Sequence, residues 1–212
     1  MIVATDDARI KAVVEGFGGV ARLTAPEHPT GSDRLAEVAE HLDCDLIVNV
    51  QGDEPLVEPA MIEQLLAPFA DEPALQMTTL RRRIDDPAEL MDPNVVKVVT
   101  DAHDHALYFS RAPIPGSPGG RTPHGEALGY KHIGVYAYRR AFLRRFTSWA
   151  PTPLERRERL EQLRVLEHGH RIKALETLFD PIGVDTPGDL ARVRQLALET
   201  PVAARAGEDP VT

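Results

Sequence analysis

The chain has 212 residues, enough for one domain of ordinary size, and is 42% hydrophobic and 27% charged, a balance that excludes an intrinsically disordered protein. Its formal net charge of −9 argues against a protein that coats nucleic acid, while a small anionic ligand needs only a few local arginines and lysines. No apolar run is long enough to cross a bilayer, the opening "MIVATDDARI" lacks the pattern of a secretory signal, and the single Cys44 excludes an intramolecular disulfide or an all-cysteine metal site, so the expected compartment is the cytoplasm, with no membrane or nucleic-acid partner.

"MIVAT" is short, apolar and β-branched, and predicts a strand; "DDARIKAVVEGFGG" predicts a helix ending at Gly18-Gly19. "SDRLAEVAEHL" places Leu35, Val38, Ala39 and Leu42 at helical spacing, with Ser32 as its expected N-cap. "DLIVNV" reads as a buried strand, "PAMIEQLLAPF" as a helix and "LQMTTLRRRI" as a strand. This alternation predicts an α/β fold: a mostly parallel, Rossmann-like sheet with helices on both faces. "DDPAELMDPN" then reads as a connection punctuated by Pro and Asp. "VVKVVTD" and "ALYFSRAPIP" are expected to be antiparallel neighbours joined by "AHDH", and "GSPGGRTPHGEALG" a Gly/Pro-rich loop. "YKHIGVYAYRR" predicts a strand, "LERRERLEQLRVLEHG" one helix closed by Gly169, "RIKALE" a short strand and "TPGDLARVRQLALE" the last helix. The expected organisation is one α/β domain over 1–199 with a β-rich excursion from about 85 to 149, and a disordered tail over 200–212.

The chemistry concentrates at strand ends. In open parallel sheets, ligands bind beyond the carboxyl ends of the strands. In "LIVNVQGDEP" a buried strand ends on an acidic turn: Gly52 permits a tight turn, Pro55 stops the strand, and Asp53 is presented to the crevice. One carboxylate there suits Mg²⁺, which takes one or two carboxylates and completes its shell with water and phosphate oxygens; the alternative is a turn or capping aspartate before the helix near Glu58. In "IGVDTPGDL", Thr186 as N-cap, Pro187 at the first helical position and Asp189 at the third account for "TPGD" structurally. Asp185 is left either as a second metal ligand or as an ordinary turn aspartate. With period two, "KHIGVYAYRR" puts His132, Gly134, Tyr136 and Tyr138 on one face and Ile133, Val135 and Ala137 on the other. The first face suits a polyhydroxylated ligand or, equally, a solvated sheet surface. Arg111, at a strand end before a Pro-rich loop, is a candidate bidentate clamp for a carboxylate, or a surface charge. Glu161 and Gln162 fall on a helix whose Leu160, Leu163 and Leu166 face the core.

Taken in order, "HPTGSDRLAEV", "VNVQGDEP", "DPNVVKVV", "ALYFSRAPIP", "KHIGVYAYRR", "LEQLRVLE" and "GVDTPGDL" resemble the 3-deoxy-manno-octulosonate (Kdo) cytidylyltransferases, from Ile2 to about Leu196. The resemblance implies a nucleotide-diphospho-sugar transferase type of α/β fold with a dimerisation excursion. It implies CMP transfer from CTP to Kdo with release of pyrophosphate, for lipopolysaccharide biosynthesis, by a Mg²⁺-dependent cytoplasmic homodimer. By residue, it assigns Asp53 and Asp185 to the metal. Gln51, Arg111, His132, Tyr136, Glu161 and Gln162 fall to the Kdo pocket, and Gly31, Ser32 and Arg34 to the nucleotide. The family's opening phosphate-gripping loop, "PARxxSxRxPxKxL", has no counterpart here, and "IVATDD" matches the family's second strand. Two further readings follow: a non-catalytic sugar-acid-binding remnant, and a cytidylyltransferase for another sugar acid.

Overall fold

A computed structural model describes residues 1–116, 126–184 and 186–199. Asp185, most of the Gly/Pro-rich loop and the expected tail lie outside the described residues. The chain opens with β1 (Val3–Thr5), α1 (Ala8–Gly16) and β2 (Ala21–Leu23), a unit whose two strands pair in parallel. β2 is three residues long, too short to leave a period in the sequence. α2 (Gly31–Glu40) follows, and its N-cap is Thr30, whose hydroxyl oxygen accepts from the Asp33 amide at 3.3 Å. Ser32, the expected cap, instead occupies the first turn, where it is buried and free to bond elsewhere.

The main sheet is built from β3 (Leu46–Val50), β4 (Met77–Ile84), β5 (Lys97–Thr100), β6 (Ala106–Ser110), β7 (Gly129–Arg139) and β8 (Lys173–Glu176). β7 lies at its centre. One side of β7 pairs with β4; the other pairs with β3 along Val135–Arg139 and meets β5 at Lys131. The α/β class is as the element order predicts, but the pairing is more mixed. β4 and β8 are parallel, whereas β7 runs antiparallel to β3, β4 and β5, and β5 to β6. The exception is β7: it lies between β3 and β4 and runs against both, sharing the direction of β6 across the intervening β5. The segment expected as an excursion therefore supplies the central strand.

The alternation in β7 sorts the core into two layers. Ile133, Val135 and Ala137 pack with Met61 and Leu65 of α3 (Pro59–Leu66) and with Phe69 of α4 (Pro68–Asp71). Tyr136 and Tyr138 face the opposite layer, with Phe142, Leu143 and Phe146 of α6 (Arg140–Thr147). Removing such side chains from water contributes about 1.5–3 kcal/mol each. The register slips between Thr79 and Leu80. There the Thr79 hydroxyl lies 2.8 Å from the Val135 carbonyl and 2.9 Å from Nε2 of His132, so the bulge leaves these polar groups paired.

Two expectations fail instructively. The "DDPAELMDPN" connection contains a helix, α5 (Pro87–Met91), capped by the Asp86 carboxylate on the Ala88 amide at 2.8 Å. The single helix expected over 154–169 is two: α7 (Pro153–Glu158) and α8 (Gln162–Glu167), hinged at Arg159 with φ 57°. The cause is a buried ion pair in which Arg164 Nε reaches Glu155 Oε2 at 2.8 Å. In one continuous helix, residues nine apart stand about 13.5 Å apart along the axis, too far to touch; the break folds the two turns onto each other. A left-handed residue other than glycine costs about 1–2 kcal/mol. Arg159→Gly is accordingly expected to hold or raise the melting temperature, while Arg159→Val lowers it by about 2–4 °C per kcal/mol lost. Equal melting temperatures for the two variants would contradict the strain at this hinge. The chain ends in α9 (Pro187–Glu199), whose start uses Thr186 and Asp189 as predicted: the Thr186 amide donates to the Asp189 carboxylate at 2.8 Å.

Candidate active site

A cleft of about 1300 Å³ opens beyond the carboxyl end of β3 and across β7. β3 delivers Gln51 and Asp53 to it, α2 delivers Ser32, β7 delivers His132 and Tyr136, the end of β6 delivers Arg111, and the α7–α8 break delivers Glu161 and Gln162. Residues far apart in sequence thus converge as expected. Gly31 stands at the start of α2, against Gln51, but is not part of the cleft wall. Arg34 turns the other way: its Nη2 pairs with Asp6 at 3.0 Å and its Nη1 reaches Thr24, so it braces α2 against the β1–β2 unit.

Two glycines allow the strand end to sit where it does. A Cβ on Gly31 would lie 3.4 Å from Gln51 Oε1, and one on Gly134 would lie 3.4 Å from Glu54 Oε1 and 3.9 Å from Gln51 Cγ. The turn after β3 is therefore packed between α2 and β7. Asp53 is exposed at its tip, and among the described residues its carboxylate has no hydrogen-bond or ion-pair partner. Its backbone carbonyl accepts from the Val184 amide at 2.8 Å, which ties Val184 to the "QGDEP" turn. Asp185 itself lies outside the described residues.

The β7 face is buried, not solvated. Burial pushes the His132 imidazole down to a pKa of about 3, so it is neutral at physiological pH. Burial also raises the phenols of Tyr136 and Tyr138, the latter against hydrogen bonds with Ser32 and Asn49. Burial raises the Glu161 carboxyl too, although Ser32 and Thr30 hydrogen-bond to it and Arg164 favours its charge. These groups line the cleft with hydrogen-bond donors and acceptors. That is the surface a polyol needs, because a hydroxyl-reading site discriminates by leaving its own polar groups unpaired against the wrong ligand.

The cationic side of the cleft is more elaborate than the sequence indicated. Arg111 Nε donates to the Glu158 carbonyl at 3.1 Å and Nη1 to the Pro93 carbonyl at 3.2 Å. Lys131 and Arg82 share Asp180 at 3.1 and 3.0 Å, and Arg82 also pairs with Glu89. Glu158, Lys131 and Asp180 were not distinguishable in the sequence. Glu158 sits on a helix that reads as amphipathic, and Asp180 in a stretch with no periodic signal.

Among the described residues no cluster of three or more His, Cys, Asp or Glu side chains could hold a metal ion. One free carboxylate at a strand end does fit Mg²⁺ held jointly with substrate phosphates, the usual arrangement for that ion, and does not fit a metal cage made by protein alone.

The cytidylyltransferase family profile matches residues 1–172. The chain is 54% identical over 200 residues to the 3-deoxy-manno-octulosonate cytidylyltransferase of Geotalea daltonii, an alignment covering 91% of this chain and 79% of that protein. It is 53% identical over 202 residues to the enzyme of the same name from Pelobacter propionicus, covering 92% and 79%. The solved structure of a CMP:2-keto-3-deoxy-manno-octonic acid synthetase complexed with CTP superposes with a TM-score of 0.86 at 41% identity, over 93% of this chain and 80% of that one. The inositol-1-phosphate CTP transferase of T. maritima shares the fold alone, with a TM-score of 0.62 at 14% identity over 99% and 77%. The chain belongs to the cytidylyltransferase family, among the 3-deoxy-manno-octulosonate cytidylyltransferases.

Proposed function

We propose that the chain transfers CMP from CTP to Kdo, giving CMP-Kdo and pyrophosphate and activating Kdo for lipopolysaccharide synthesis. The observation that carries this reading is the cleft in which Asp53, Arg111 and the polar face of β7 meet. The Kdo 2-hydroxyl attacks the α-phosphorus of CTP, the bond to the β-phosphate oxygen breaks, and pyrophosphate leaves. Little covalent work falls to the protein in such a transfer; positioning and charge stabilisation dominate.

Arg111 holds the Kdo carboxylate. Gln51, His132, Tyr136, Glu161 and Gln162 read its hydroxyls, with His132 acting as a neutral hydrogen-bonding group. Gly31 and Ser32, at the start of α2, lie nearest the nucleotide, and Arg34 acts there by bracing the helix. Asp53, together with Asp185, would hold Mg²⁺, which neutralises triphosphate charge and favours an ionised attacking hydroxyl.

No helix among the described residues is long and apolar enough to cross a membrane; the cytoplasmic location belongs to this reading through the resemblance alone. The homodimer implied by the resemblance is part of the same reading. Its support is β6, an edge strand of the main sheet, which exposes Leu107.

The test is pyrophosphate release from CTP and Kdo with Mg²⁺. Release that requires all three, with CTP preferred over other nucleoside triphosphates and Kdo over sialate, is the expected result. A folded protein that binds Kdo without releasing pyrophosphate would overturn it in favour of a sugar-acid-binding role.

A further inference from the structure

We propose that Lys97 and Glu158 form a clamp that presets Arg111 for its ligand, and that both are positioning residues for the sugar acid. The inference rests on the reading of Arg111 as the carboxylate-binding group.

Lys97 is fully buried in β5. Its ammonium donates to three backbone carbonyls: Asp92 at 2.8 Å, Val95 at 2.6 Å and Arg111 at 2.7 Å. All three donors of a lysine are thereby used, and none remains for a ligand. Desolvation pushes its pKa down, against the attraction of Asp92. A buried ammonium is costly unless every proton is bonded, so the three carbonyls hold Lys97 in place as much as it holds them. Two of them belong to the turn after α5, and that turn carries Pro93, whose carbonyl grips Arg111 Nη1 at 3.2 Å. The third is the carbonyl of Arg111 itself. Lys97 therefore fixes both the backbone from which the guanidinium projects and the turn against which it rests.

Glu158 fixes the other side. Its Oε2 accepts from the Arg111 amide at 3.0 Å, its Oε1 from the Ser110 hydroxyl at 2.8 Å and the Tyr108 hydroxyl at 3.3 Å. Its own carbonyl accepts from Arg111 Nε at 3.1 Å. Burial opposes the carboxylate's charge, but these donors outweigh it and hold its pKa below the usual range. The guanidinium thus meets fixed carbonyls on two of its nitrogens before any ligand arrives. Such preorganisation cuts the ordering cost of binding.

The experiment measures KM for Kdo and for CTP in Lys97→Met, Glu158→Gln and Arg111→Ala, and in each of the first two combined with Arg111→Ala. Glu158→Gln keeps the shape and leaves one acceptor oxygen for three donors. Lys97→Met and Glu158→Gln are each expected to raise the Kdo KM about tenfold, with the CTP KM within about twofold. Neither should raise the Kdo KM further once Arg111 is Ala. Additive losses in the double variants, or equal rises for CTP, would overturn the clamp, because a general structural defect behaves that way. If Lys97→Met does not fold by thermal melting, Glu158→Gln carries the same expectation alone. An unchanged Kdo KM in Arg111→Ala sinks the carboxylate reading itself; a raised one with wild-type values in the other two sinks only the clamp.

Discussion

Asp53→Asn is expected to abolish pyrophosphate release, with kcat down about 10³-fold or more, while the melting temperature stays within a few degrees. The two halves of this result have separate causes. Asn has the shape of Asp and lacks its charge, and what the site loses is the group that would hold Mg²⁺ against the triphosphate. A thousandfold loss corresponds to about 4 kcal/mol of transition-state stabilisation, within the range for deleting one preorganised electrostatic group. The fold loses little, because the carboxylate is exposed and has no partner among the described residues. The one bond that ties this residue to the rest, from the Val184 amide to the Asp53 carbonyl, is a backbone bond that Asn retains. Asp185→Asn should behave alike if the two aspartates serve one metal, and Mg²⁺ titration followed by CTP binding would fall in both. Wild-type turnover from either variant would end the two-aspartate assignment; a large drop in melting temperature would show that Asp53 is a structural turn residue.

The legible parts of this protein are those whose cause is local. The period of two in "KHIGVYAY" survives in β7 as two packed layers, because side-chain direction in a strand alternates whatever lies beyond it. The "TPGD" start of α9 was readable because capping is completed within four residues. The site was legible to the extent that strand ends present their residues to a crevice, which located Asp53 and Arg111. What escaped was set by contacts distant in sequence. Nothing in "LERRERLEQLRVLE" announces that Glu155 and Arg164 will pair and break the helix at Arg159, yet that break is what turns Glu161 and Gln162 from an exposed face into the cleft wall. Lys97 looked like one charge in an apolar strand, and its three carbonyl partners come from two different loops. The direction of β7 was hidden for the same reason: pairing partners are chosen by topology, and "YKHIGVYAYRR" reads identically as a parallel or an antiparallel strand. Ser32 shows the limit of cap rules. Thr30 and Ser32 both suit the role, and only the burial of Ser32 between Tyr138 and Glu161 decides between them.

Arg111→Ala is expected to raise the Kdo KM about 10–100-fold and to leave the CTP KM within about twofold. Of the five N–H donors on a guanidinium, two are committed to the carbonyls of Glu158 and Pro93. Three remain for the cleft that this side chain lines, enough for the paired bonds a carboxylate accepts. Hydrogen bonds to charged groups contribute about 1.5–3 kcal/mol, which is about 10–150-fold in affinity. The effect should be confined to the sugar acid, because the proposed nucleotide and metal groups reach the cleft from other elements, the start of α2 and the end of β3. Arg111→Lys separates charge from geometry. A lysine restores the positive charge but offers no planar fork, so it should recover only part of the Kdo affinity. Full recovery would mean that Arg111 contributes charge alone. Equal losses for Kdo and CTP would mean that the guanidinium holds the cleft open as a structural brace between β6 and α7, and the carboxylate would then have to be bound by another cation of the cleft wall, such as Lys131 or Arg157.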